Sequence, residues 1–170
     1  MPATTRIQFF NSKPADQVLY TTLELYHPDI GLLRYVTGQQ FDKQFILETD
    51  APRNADELVT FEAVSFDAPE PEQGENGEVS LDVQLGAVGI DVKSKIKMIT
   101  DAGWEQPLEV IYRQHLSGEA YPGLVLEFEA ETLTLQDTSA AIRAQQVNQA
   151  ARDVAEIYNT DRFPGLAQSI

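Results

Sequence analysis

The run Val79-Ser80-Leu81-Asp82-Val83-Gln84-Leu85 constrains the chain most. Apolar residues take every second position and polar residues fill the gaps. Successive side chains of a strand point to opposite sides, so a period of two means one buried face and one wet face. A helix would scatter the same residues around its circumference. The chain therefore holds a half-buried strand, which needs a sheet to join.

The same rhythm recurs along the sequence. Val18, Tyr20 and Thr22 fall on one face of a strand over 17–26, and Leu19, Thr21, Leu23 and Leu25 on the other. His27-Pro28-Asp29 breaks that run and Gly31 sits in the turn, so Leu32 to Val36 reads as the return strand of a hairpin. Further strands are predicted over 44–49, 58–66 and 108–115, with Asp50 to Asn54 as a loop. Leu124, Leu126 and Phe128 alternate with Glu127 and Glu129, after which the apolar phase shifts to Leu133 and Leu135. A phase shift inside one long run marks a bulge or a bend.

At Gly86 the rhythm changes. Val88, Val92, Ile96 and Ile99 recur at spacings of four and three, which predicts an amphipathic helix over 90–101, closing near Gly103. Lys93, Lys95 and Lys97 make it the one locally basic stretch. Residues 139–158 read two ways: Val147, Ala150, Val154 and Ile157 fit a helix, whereas Ala141-Ile142-Arg143-Ala144 would finish the sheet. The Pro-, Gly- and acid-rich segment from Asp67 to Gly77 reads as a solvated loop. The expected fold is mostly β, a sandwich or barrel of about seven to eight strands with one flanking helix. The expected organisation is an N-terminal arm over 1–16, a core domain over 17–136 and a C-terminal extension over 137–170. A length of 170 residues suits one such domain.

Charge and composition narrow the function classes. The 27 acidic and 12 basic residues leave a net charge of −15, a field that repels phosphate backbones. That disfavours sequence-specific nucleic-acid binding. It suits either plain solubility or the wall of a conduit through which DNA must slide without sticking. With no cysteine, disulfides, thiolate metal sites and Cys nucleophiles are excluded. No run approaches the roughly 18 apolar residues of a membrane span, so no membrane insertion is expected. The start, Met1 to Arg6, lacks the basic and apolar regions of a secretory signal.

No constellation for chemistry emerges, and the expected catalytic, cofactor and metal residues are none. His27 and His115, read as surface or half-buried imidazoles, lack partners at metal-ligand spacing. No serine sits in a GxSxG elbow. Gly86-Ala87-Val88-Gly89 lacks both the Walker lysine and the dinucleotide spacing. The acids Asp67, Glu70, Glu72 and Glu75 miss the calcium-loop pattern. The reading is of a protein that is not an enzyme.

Four stretches carry a resemblance. They are Val18 to Pro28; Phe61-Glu62-Ala63-Val64-Ser65-Phe66 leading into the acidic loop; Val79 to Ile99 followed by Pro107 to Arg113; and the ending Tyr158 to Leu166, with Phe163-Pro164-Gly165-Leu166. Together they resemble the small tail-module proteins of siphophages, a family built on a domain of unknown function. The resemblance covers most of 17–166. Gly89-Ile90-Asp91-Val92 departs from it by lacking a usual Asn, and Ala155-Glu156-Ile157 by lacking a usual proline.

The resemblance implies a virion protein of the tail tip, assembled in the host cytoplasm. It would be a homo-oligomeric, hexameric ring subunit of distal-tail type between the tail tube protein and the hub or tip proteins, near the tape-measure protein. On that reading the subunit-interface candidates are Phe9, Phe10, Phe163, Pro164 and Leu166. The lumen-facing candidates are Glu127, Glu129 and Glu131 on one strand, with Glu70, Glu72 and Glu75 in the acidic loop. A trimeric hub, a tail-completion protein and a β-sandwich module that binds a host surface are the alternatives left open; the last would need exposed aromatics, and the only Trp is Trp104, in a loop after the helix.

Overall fold

The computed structural model describes residues 17–73, 79–86, 90–102, 106–135 and 139–146. Its elements in chain order are β1 (Leu19–His27), β2 (Gly31–Val36), β3 (Lys43–Ile46), β4 (Leu58–Ala63), β5 (Phe66–Asp67), β6 (Glu72–Gln73), β7 (Val79–Gly86), helix α1 (Ile90–Ala102), β8 (Glu109–Leu116), β9 (Leu124–Leu135) and β10 (Ser139–Gln146). The mostly-β fold with one helix is the one expected. All the strands join one mixed sheet in the order β3-β4-β2-β1-β8-β9-β10-β7-β5, and β6 also pairs with β7.

The β1–β2 hairpin forms where the sequence places it. Gly31 has φ +75°, a left-handed conformation that a Cβ would penalise. The Ile30 N–H closes the turn onto the His27 carbonyl at 3.2 Å. Every strand pair is antiparallel except β2–β4, which runs parallel through Tyr35↔Glu62 and Val36↔Ala63.

Directly opposed residues share a face of the sheet. Leu23 and Leu25 of β1 therefore lie beside Tyr112 and Val110 of β8, and these beside Leu126 and Phe128 of β9. The layer continues through Ile142 and Ala144 of β10 to Val83 and Leu81 of β7. It forms the main core, which Ile96 of α1 enters, so the helix covers this face. The alternation of 79–85 is borne out: Leu81, Val83 and Leu85 are buried, and Asp82 and Gln84 are exposed.

The strand expected over 58–66 is broken at Val64–Ser65, and the break bends the sheet. Before it, the chain pairs with β2, extended by the Val64 N–H donating to Val36 O at 3.1 Å. After it, Phe66 and Asp67 pair with Leu85 and Gln84 of β7. Four strands separate β2 from β7 along the sheet, yet one short stretch of chain bonds to both. The Thr37 hydroxyl seals the join, donating to Phe66 O at 2.7 Å and accepting from Phe66 N–H at 3.4 Å. The order stays open, but the sheet curls back on itself around the core.

Three boundaries differ from expectation. Asp67 and Glu72–Gln73 of the supposed loop pair with β7, because strand pairing uses backbone groups and needs no apolar side chain. The third strand ends at Ile46, so the following loop spans 47–57. The C-terminal extension cannot begin at 137: β10 lies inside the sheet between β9 and β7, with Ala140, Ile142 and Ala144 buried. Of the two readings for 139–158, the sheet holds for 139–146, and the remainder lies outside the described residues.

Candidate functional site

Around β1, β2 and β8, the face opposite the main core is polar, and it is built from alternation. Thr22 and Glu24 of β1 oppose Arg113 and Ile111 of β8, and Glu24 also opposes Arg34 of β2. Glu24 and Arg113 are both wholly buried. Neither ion would survive there alone, because an unpaired buried charge costs several kcal/mol or more.

Among the side-chain atoms of the network that pairs them, only Arg53 Nη2 is buried without a partner. Arg113 donates from Nε to both Glu48 oxygens at 3.0 and 2.9 Å, from Nη2 to Glu48 Oε1 at 2.8 Å, and from Nη1 to Glu24 Oε2 at 3.2 Å. Glu24 also accepts from Arg34 Nε at 2.9 Å and from Arg53 Nε at 3.2 Å. Arg53 reaches on to Glu109 at 2.7 Å, and its guanidinium stacks 4.2 Å from the Tyr26 ring centroid. Three guanidinium groups thus meet three carboxylates in a charge-neutral network.

The network holds down a loop. Glu48 and Arg53 belong to the 47–57 connection between β3 and β4, whose base is closed by the Leu47 N–H on Glu57 O at 3.1 Å. Asn54 accepts from Arg34 at 2.8 Å and donates to Glu57 at 2.6 Å. Asn54 and Asp56 adopt φ of 55° and 59°, a region these two residue types tolerate better than most. Tyr121 and Thr49 both donate to Asp56 Oδ1 at 3.0 Å, tying the loop to the β8–β9 turn. The bond to Asp56 raises the Tyr121 pKa above its ordinary value.

Beside the network lies a small aromatic core of Val36, Leu47, Val59 and Phe61, with Tyr20 and Phe45 against it. His115 stacks on Phe45 with ring centroids 4.2 Å apart. Burial, helped by the Arg113 charge, lowers its pKa to about 3. Its Nε2 is buried without a hydrogen-bond partner. His27 is buried too, linked through Nε2 to Gln106 O at 3.2 Å, while its Nδ1 accepts from Asp29 N–H at 3.2 Å. Both histidines were expected nearer the surface; packing partners remote in sequence bury them.

Where β2 and β4 diverge, an open groove of about 470 Å³ is lined by Arg34, Tyr35, Asp42, Thr60 and Glu62 among others. The Tyr35 hydroxyl is buried beside it without a partner, and burial, then the Glu62 charge, pushes its pKa up. Among the described residues, no three His, Asp or Glu side chains converge as a metal site requires.

A family model for a domain of unknown function, DUF1833, matches residues 5–161 and so takes in every element from β1 to β10. The chain belongs to the DUF1833 family. No curated protein matches it. The charge network of this DUF1833 chain is what sequence reasoning missed. Its signal was Arg113 directly after the apolar run Val110-Ile111-Tyr112 and before Leu116, a charge inside a strand that should be central.

The expected site residues are placed as follows. Glu127 and Glu129 share the polar face, opposing Ile111 and Glu109. Glu131 is exposed and sits at the bulge, where the register slips between Ala144↔Ala130 and Arg143↔Thr132. Glu70 is exposed and accepts from Gln114 at 3.5 Å, while Glu72 lies on β6 at the sheet edge. Glu75, Phe9, Phe10, Trp104, Phe163, Pro164 and Leu166 lie outside the described residues.

Proposed function

We propose that this chain is a structural ring subunit of a phage tail tip, joining tail tube to tip complex and lining the DNA conduit. The observation that carries the proposal is the use made of its ionisable side chains. Three arginines and three glutamates are tied to one another and fasten a loop to the sheet. Such a network favours one rigid shape, which is what a scaffold requires.

The outward charge supports the same reading. Glu109 and Glu129 oppose each other directly across β8 and β9, with Glu127 next along the strand. Arg53 already neutralises Glu109 at 2.7 Å, so the negative charge this face would present rests on Glu127 and, at the bulge, on the exposed Glu131. With a net charge of −15, that face would pass DNA without adsorbing it. Loops and arms would contact neighbouring subunits, the tail tube protein and the hub.

The test is negative-stain microscopy and mass photometry of the purified protein, alone and with its tail partners. Hexameric rings are the expected result, and a trimer would favour the hub reading. A chain that stays monomeric at high concentration and binds no tail component would sink the proposal. Charge reversal of Glu127, Glu129 and Glu131 should slow DNA ejection by particles that still assemble.

A further inference from the structure

We infer that α1 of one copy docks on the 47–58 surface of a second copy, making the head-to-tail contact that closes the ring. The inference rests on the assembly reading above and names the surfaces that reading leaves open.

Few large apolar side chains are exposed among the described residues, and three of them fall on two surfaces of opposite charge. Leu58 is 60% exposed at the end of the loop, and Tyr121, 47% exposed, is bonded to the loop through Asp56. In the same loop Asp50 and Glu57 are exposed carboxylates. Met98, 54% exposed, stands on α1 next to Lys97 and one turn from Lys95. Residues three apart on a helix share a ridge, so Lys95 and Met98 form an apolar step with a positive edge. Asp101 ends that ridge. One surface is apolar with acids, the other apolar with bases, on a chain whose excess charge otherwise makes copies repel.

The two surfaces also have the right disposition. The helix lies on the core face of the sheet through Ile96, and the loop lies on the opposite face through Glu48 and Arg113. One copy can use both at once without the two contacts competing. Such a contact is heterologous, and heterologous contacts close into rings or run on as filaments. The loop is already fixed by its buried ion pairs, so docking would cost little ordering entropy.

The test is a charge swap read by sedimentation velocity and mass photometry. Lys95→Glu/Lys97→Glu should weaken self-association by at least about tenfold, and Asp50→Lys/Glu57→Lys by a similar factor. Both pairs reversed in one chain should restore the wild-type assembly. Raising the salt from about 50 to about 500 mM should weaken the wild-type contact. An unchanged urea midpoint guards against misfolding; if the loop pair lowers it, Leu58→Ser, which lies outside the ion network, takes its place. Rings that form equally well in both reversed variants, or that the combined variant fails to restore, overturn this contact and leave the assembly reading standing. A wild type that never associates overturns both.

Discussion

Arg113 and Glu48 are 65 residues apart in sequence, and three hydrogen bonds of 2.8–3.0 Å join their side chains. The arginine is buried in a central strand and the glutamate projects from a loop, so this pair locks a surface connection onto the middle of the sheet.

Arg113→Met should cost about 3–5 kcal/mol, because Glu48 would be left largely buried without its counter-ion. Glu24 suffers less, since Arg34 and Arg53 remain on it. Glu48→Leu alone should be comparably damaging, by stranding the guanidinium. The double variant should be more stable than the two single costs added together, because neither charge is then left alone. Urea unfolding of the four proteins measures the coupling. Strict additivity would mean that the pair holds nothing.

What was legible in the sequence was local. The β1–β2 hairpin, the alternation of β7 and the span of α1 each follow from a rhythm readable within about a dozen residues. The same holds for the slip in β9, where Phe128 and Leu133 cannot share one unbroken strand phase. The polar face was not legible, because it depends on which strands become neighbours. Glu24 reads as one more polar residue until β2 and β8 bring Arg34 and Arg113 to either side of it. The break at Val64–Ser65 was hidden for the same reason, since only pairing with both β2 and β7 bends the chain there.

Thr37→Val should loosen the join between β2 and β5. One hydroxyl both donates to Phe66 O and accepts from Phe66 N–H, and valine keeps the shape while removing both bonds. The loss should be about 1–2 kcal/mol. Amide exchange at Phe66 should quicken more than at Leu25 in the central strand β1. Equal slowing or quickening at the two sites would argue against a local seam.

The buried imidazole of His115 should make stability depend on pH in a defined direction. Its pKa is about 3 in the fold, against an ordinary value of 6.5. Between those values the unfolded chain takes up a proton that the folded chain refuses. Stability is therefore fully present above pH 6.5 and falls as the pH drops toward 3, by about 1.4 kcal/mol per unit for this group. His115→Phe keeps a ring against Phe45 and removes the titration. The urea midpoint of the variant should fall less steeply than that of the wild type between pH 6.5 and 4; identical slopes would count against the assignment.

The bulge in β9 makes one deletion tolerable and a near neighbour ruinous. Ala130 pairs with Ala144 and Thr132 with Arg143, which leaves Glu131 as the extra residue. Removing Glu131 joins Ala130 directly to Thr132 and restores plain alternation, with Leu133 and Leu135 still on the core face. The cost should be no more than roughly 1–2 kcal/mol, from the lost local twist. Removing Glu127 instead deletes a residue from regular pairing with Ile111. Every side chain on one side of the gap then changes face, so either Leu124 and Leu126 or Phe128 and Ala130 must leave the core. Soluble yield and thermal unfolding should separate the two deletions clearly. If both fold equally well, β9 does not hold its register through that alternation.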